Sequence, residues 1–246
     1  MKFKVSVAAW SDRYVESLLE QHPASLVLNR QYITNAADRQ DWPEMLRRAE
    51  QFRARRPHSA AAQIACVIAL RHSGREAEAT KLLRRLVWRL PRSIEVQLEW
   101  ARDAGRRQDW AEATHRFAKL RRRFPQAAEG YIEGSRALLR TGHDGAAETL
   151  LEHSKGCFPK VHYIWQEAAQ LVESQGDGEK ALARWAEMRE RFPNTPEGYI
   201  GGATWLMRLG RREEAAELIA QARDFFPGNA TILAAVATLN AQSGES

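Results

Sequence analysis

The sequence predicts an all-α fold, an α-solenoid of antiparallel helix pairs with six full repeats and a half repeat at each end, and three observations predict it. Pro23, Pro57, Pro91, Pro125, Pro159, Pro193 and Pro227 follow one another at intervals of 34, leaving only Pro43 and Pro196 out of phase. With each of these prolines set at position 32 of its unit, position 20 reads Met45, Ala79, Ala113, Ala147, Ala181 and Ala215. Apolar residues recur three and four apart, as in Ala79, Leu82, Leu83 and Leu86, which is the spacing of one helical face. Nothing alternates with period two over a useful length, so no strand is expected.

Taken in order, residues 1–25 form a half repeat. The full repeats run 26–59, 60–93, 94–127, 128–161, 162–195 and 196–229, and a single unpaired helix, 230–246, follows. Each repeat reads as helix, turn, helix. The turn falls at position 15, which holds Gln40, Gly74, Gln108, Gly142, Gly176 and Gly210; glycine there supplies a left-handed conformation at low strain. Asp41, Asp109 or Asp177 then caps the second helix through its carboxylate. The periodic proline lacks a donor N–H and pushes its predecessor out of the helical region, which ends that helix. The predecessor is Leu90, Phe124, Phe158, Phe192 or Phe226, with Arg56 the exception. The alanine column marks where two helices approach too closely for a larger side chain.

The stretch RFPNTPEGYIGG, 191–202, resembles a ligand-cradling loop, but RFPQAAEGYIEG at 123–134 matches it at eight of twelve positions, 68 residues earlier. Gly198, Gly201 and Gly202 therefore belong to a first helix, where small residues permit close packing. GDGEKA, 176–181, imitates a dinucleotide fingerprint but joins two helices, so it reads as a turn with an Asp cap.

A 34-residue helical pair with Gly near 15, Ala at 20 and Pro at 32 resembles the tetratricopeptide repeat, and the resemblance covers nearly the whole chain. It implies a right-handed superhelix. The aromatic that the family carries at position 4 is present as Tyr131, Trp165 and Tyr199, whereas Asn29, Gln63 and Gln97 stand there in the first three repeats.

The two cysteines, Cys66 and Cys157, show no paired spacing, which suits a reducing compartment. The N-terminal MKFKVSVAAW has too short an apolar run for a secretory signal, and no stretch approaches ~20 apolar residues. A cytoplasmic protein is expected. Residues 1–127 hold 25 Lys and Arg against 14 Asp and Glu, and residues 128–246 hold 12 against 17, so the balance is +11 in one half and −5 in the other. The runs RARR, 53–56, and RRR, 121–123, lie at the ends of second helices, where cations complement the helix dipole. Nucleic acid is not expected as a partner, because those runs lack interleaved aromatics that would stack on bases.

No cofactor is expected. His153, Cys157 and His162 are of types that ligate zinc, but a fourth ligand is not evident and the three straddle a helix end, so no metal is assigned. Cys66 stands at position 7 as a small core group. No Ser, His and acid arrangement stands out, and no enzyme is expected.

The family resemblance implies recognition in a concave groove lined by first helices, where positions 2, 5, 9, 12 and 13 share a face. The partner-binding residues expected there are Ile64, Leu98 and Ile132 at position 5, Arg102 and Arg136 at position 9, Arg106 and Arg140 at position 13, and Tyr163 at position 2. The partner expected is an extended or helical protein segment carrying acidic and apolar residues. Glu99 stands three residues before Arg102 and Glu133 three before Arg136, as on-helix ion partners, whereas Arg106 and Arg140 have none at that spacing. Reversing the four arginines to Glu is expected to leave melting nearly unchanged while binding falls.

A subset of the family grips a C-terminal carboxylate with a Lys, Asn, Asn, Lys and Arg set. Arg30, Thr34 and Ala65 depart from that set, and Glu95 and Glu99 stand where it needs positive charge, so chaperone-tail binding is not expected. The chain reads as a protein-interaction scaffold or adaptor; the alternative is the partner-binding region of a larger enzyme or polysaccharide assembly and export system. The last helix presents Ile232, Val236 and Leu239, which predicts an apolar face covered by self-association or by further chain.

Overall fold

Every residue at position 15 takes the left-handed conformation: φ is 74° at Gly74 and Gly142, 80° at Gly176, 77° at Gly210, and 58° and 60° at Gln40 and Gln108. That turn folds each second helix back on its first. Asp41, Asp109 and Asp177 then accept the backbone N–H of Glu44, Glu112 and Lys180, each at 3.1 Å, satisfying a donor that a helix start leaves open.

The structure is a computed structural model and describes residues 11–234. The chain divides into two compact units at Phe124 and Pro125. In the first lie α1 (Asp12–Gln21), α2 (Leu26–Asp38), α3 (Trp42–Arg55), α4 (Ala60–His72), α5 (Glu76–Arg89), α6 (Ile94–Arg106) and α7 (Trp110–Arg123). The second holds α8 (Ala128–Arg140), α9 (Asp144–Cys157), α10 (His162–Ser174), α11 (Gly178–Arg191), α12 (Glu197–Arg208) and α13 (Arg212–Phe225), with a further helical turn at 230–234. No strand occurs among the described residues, and no helix is long and apolar enough to cross a membrane.

Within each unit a helix packs on its partner and on the first helix of the next repeat, as α3 does on α2 and α4, and α11 on α10 and α12. The alanines of position 20 carry the contact: Ala79, Ala113, Ala147, Ala181 and Ala215 are fully buried, and Met45 nearly so. Around them Phe52, Leu83 and Leu86 fill the first unit, and Leu151, Ile164, Met188 and Ile219 the second. Burying each such side chain contributes about 1.5–3 kcal/mol.

The two units solve position 4 differently. In the second unit the aromatic there meets the phenylalanine at position 31 of its own repeat edge to face, Tyr131 on Phe158 at 5.2 Å between centroids, Trp165 on Phe192 at 5.1 Å and Tyr199 on Phe226 at 5.7 Å. Such pairs add about 0.5–1.5 kcal/mol beyond their area. In the first unit Asn29 and Gln63 stand there, buried, and donate to the carbonyls of Pro23 at 3.0 Å and Pro57 at 2.8 Å. Tyr199 also reaches Pro193 O through its hydroxyl, at 3.4 Å. The departures from the aromatic pattern thus keep the bond to the proline carbonyl and lose the ring. First-helix caps divide in the same way: Ser25, Ser59 and Ser93 cap α2, α4 and α6, while α8, α10 and α12 have no side-chain cap.

Gly201 shows what the glycines of α12 are for. A Cβ there would stand 2.3 Å from Trp185 Cε2, so the indole lies directly on the helix backbone. Ile232, expected on an open face, is instead fully buried in the cluster of Tyr199, Leu206, Leu218 and Ile219. It covers the apolar end of the sixth repeat from within the chain. Val236 and Leu239 lie outside the described residues.

Candidate partner-binding site

The residues expected to bind a partner fall into both units, and each set is described by itself. In the first unit Ile64, on α4, is half-buried and packs against the core, and Leu98, on α6, is buried. Their place on the recognition face is also a place between helices. Glu99, itself buried, accepts from Arg106 and from Arg71 of α4, and Arg102 stands 3.8 Å from it. Arg106 thus finds its partner seven residues before it, because the long side chain reaches back along two turns. Arg71 also meets the fully buried Asp103 at 2.6 Å, and Arg116 and Arg107 lie 3.8 and 3.2 Å from the same carboxylate. These arginines compensate buried charge, without which Glu99 and Asp103 would be costly.

In the second unit Ile132, on α8, packs against the core and Tyr163, on α10, is exposed, its ring on that of His162 at 3.9 Å. Arg136 grips Glu167 of α10 with both forks, Nε at 2.7 Å. That carboxylate is on the next first helix, where the guanidinium fork fits bidentately, and Glu133, the expected partner three residues before, adds an electrostatic attraction to Arg136. Arg140 is also engaged.

A cleft lined largely by polar groups lies elsewhere in the same unit, between α10 and α12. It encloses about 410 Å³ and is lined by Gln166, Gln170, Glu173, Ile200, Thr204 and Arg208, with Trp185 and Gly201 at its side. These are positions 5, 9, 12 and 13 of the fifth and sixth repeats. The Glu173 carboxylate accepts the indole N–H of Trp185 at 2.7 Å and that of Trp205. Arg208 lies over the Trp205 ring at 4.8 Å. Gln166 Oε1 is buried and has no hydrogen-bond partner among the described residues.

The candidate chemistry is otherwise spare. Cys157 Sγ lies 3.4 Å from His153 Nε2, while His162 turns to Tyr163 and Phe192, and no three His, Cys, Asp or Glu side chains among the described residues are grouped to hold a metal. Burial pushes the Cys66 thiol up to about 11, as suits a core group. The 176–181 stretch is a turn capped by Asp177.

The tetratricopeptide-repeat model matches residues 98–160, which lie in the third and fourth repeats. Residues 98–160 are therefore similar to tetratricopeptide repeats. Three solved structures share the fold. PilW, a widely conserved type IV pilus biogenesis factor, is 19% identical with a TM-score of 0.62 over 87% of this chain and 100% of its own. A tetratricopeptide repeat protein from Parabacteroides merdae ATCC 43184 is 13% identical with a TM-score of 0.61, covering 93% and 90%. A chain of the APC/C hetero-tetramer Cut9–Hcn1 is 13% identical with a TM-score of 0.60 over 95% of this chain and 46% of that one, so this chain spans less than half its length. No curated protein matches the sequence.

Proposed function

We propose that the chain binds an extended protein segment in the cleft between α10 and α12. The observation that carries this is an open cleft lined by Gln166, Gln170, Glu173, Thr204 and Arg208, with Ile200 among them. Peptide main chain offers an N–H and a C=O at every residue, and amide, carboxylate and guanidinium groups in one cleft match that alternation. Ile200 and the Trp185 ring supply an apolar wall for one side chain of the segment. Glu173, held by two indoles, is a preset acceptor that needs no reordering on binding. An acidic segment has a poorer claim, since Arg106 and Arg136 already pair with Glu99 and Glu167.

Thr204 is exposed at the cleft, so Thr204→Trp fills the cleft without entering the core. Peptides selected from a random display library on the full chain are expected to bind Thr204→Trp at least about tenfold more weakly by calorimetric titration, with melting unchanged. Peptides that bind both proteins equally would place recognition outside this cleft.

A further inference from the structure

The first unit carries a second surface, independent of that cleft. On α5 the residues Lys81, Arg84, Arg85 and Trp88 follow at three- and four-residue spacing and so share a face, with Arg89 and Arg92 beside them. Trp88 is 85% exposed, the most exposed large apolar side chain among the described residues. None of these five cations forms an ion pair among the described residues, whereas Arg71, Arg75, Arg106 and Arg107 each have one. The helix dipole accounts for Arg89, in the last turn of α5, but not for Lys81, Arg84 and Arg85, which lie before it. An open cleft of about 420 Å³ adjoins the face between α3 and α5, lined by Arg53, Arg85, Arg89 and Gln63 with a single carboxylate, Glu50. The apolar residues of α5 are committed elsewhere: Leu83 and Leu86 are buried, and Leu82, Val87 and Leu90 pack against the core.

We propose that this face binds single-stranded nucleic acid, with Trp88 stacking on a base while Arg84, Arg85, Arg89 and Arg92 take the phosphates on either side. A nucleotide chain presents a phosphate and a planar ring at every unit, which is the alternation of cation and indole along α5. Arg85 and Arg89 are about 6 Å apart along the helix axis, four residues at 1.5 Å each, which suits successive phosphates. A membrane surface fits less well, because interfacial helices insert several apolar side chains and α5 has one to give, and because two of the arginines line a recess that a flat bilayer does not enter. An acidic peptide answers the charge but leaves the indole without a planar partner. The expectation that the basic segments lack an interleaved aromatic holds for 53–56 and 121–123; in RRLVWR, 84–89, it does not.

The test is fluorescence anisotropy of labelled oligo(dT) and oligo(U), each about 15 nucleotides, titrated with the full chain. The wild type is expected to bind at about 50 mM salt and to weaken with log[salt] at a slope near −3, from four or five phosphates at about −0.7 each. The ratio of the two affinities tells DNA from RNA as the natural ligand. Arg85→Glu with Arg89→Glu should weaken binding more than about tenfold and flatten that slope. Trp88→Ala should weaken it about five- to a hundredfold, and Trp88→Phe should restore most of the loss. Because these side chains are exposed, melting should not move; if a variant unfolds, the wild-type slope and Trp88→Phe decide. The proposal is overturned by absence of oligonucleotide binding at low salt, by binding that Trp88→Ala leaves unchanged, or by flotation with phosphatidylserine vesicles that the oligonucleotide does not compete away.

Discussion

At the residue scale the turn at position 15 separates what a conformation requires from what a side chain supplies. Six residues hold φ between 58° and 80°, and only four of them are glycine. Gln40 and Gln108 bear the strain of a Cβ in the left-handed region, a cost of about 1–2 kcal/mol for L-residues. Both precede an aspartate that caps the next helix, so part of the cost is offset within the same turn. Gln40→Gly and Gln108→Gly should each raise the unfolding free energy by about 0.5–1 kcal/mol, the relief of strain less the added freedom of the unfolded chain. Urea denaturation monitored by circular dichroism measures this. A destabilised Gln108→Gly would mean that the glutamine side chain does more than tolerate the turn.

At the element scale the entry to the first unit is held by charge. Arg48 of α3 is buried and lies over the Tyr32 ring at 3.6 Å; it binds Asp12 of α1 at 2.6 Å and Glu44 at 2.6 Å. The guanidinium of Arg48 holds the Asp12 carboxyl well below the usual carboxylate range. Hydrogen bonds from Arg47 and then Arg48, against the opposing effect of burial, lower Glu44 from 4.5 to about 2. A group whose pKa is lowered on folding adds stability above its unfolded pKa, and that stability is lost as pH falls through the folded one. Stability should therefore hold from pH 7 to about 5 and decline below it, into the range near 2. Arg48→Met, which keeps the apolar contact with Tyr32, should cost about 1–3 kcal/mol at pH 7 and flatten the decline, since Asp12 loses its principal partner. Denaturant midpoints at pH 7 and pH 3 decide, and an equal acid loss in both proteins would remove Asp12 from the account.

At the scale of the whole molecule, the parts legible in the sequence were those that recur. Proline, the position-15 turn and the alanine column each have one local cause that recurs along the chain, so the helices and their turns could be read from spacing. The partnerships of the arginines could not, because they depend on which carboxylate lies within reach in the folded chain: Arg136 hydrogen-bonds to Glu167, 31 residues on, and Arg106 takes Glu99, seven residues back. The cleft of the fifth and sixth repeats was hidden for a different reason, since glutamine and threonine columns carry no net charge to mark them. This changes what charge reversal does. Reversing Arg102, Arg106, Arg136 and Arg140 was expected to be silent for melting, yet Arg136→Glu sets a carboxylate against the buried Glu167. The cost should be about 2–4 kcal/mol, below the roughly 3–5 of a fully buried pair because Arg136 remains partly solvated. For a chain of this length that corresponds to a fall in melting temperature of about 4–16 °C. Glu167→Arg in the same protein should restore much of the loss by re-forming the pair with its charges exchanged, which a double-mutant cycle measures directly. Were Arg136→Glu to melt with the wild type, the α8–α10 ion pair would be incidental, and Arg136 would return to the set available for an acidic partner.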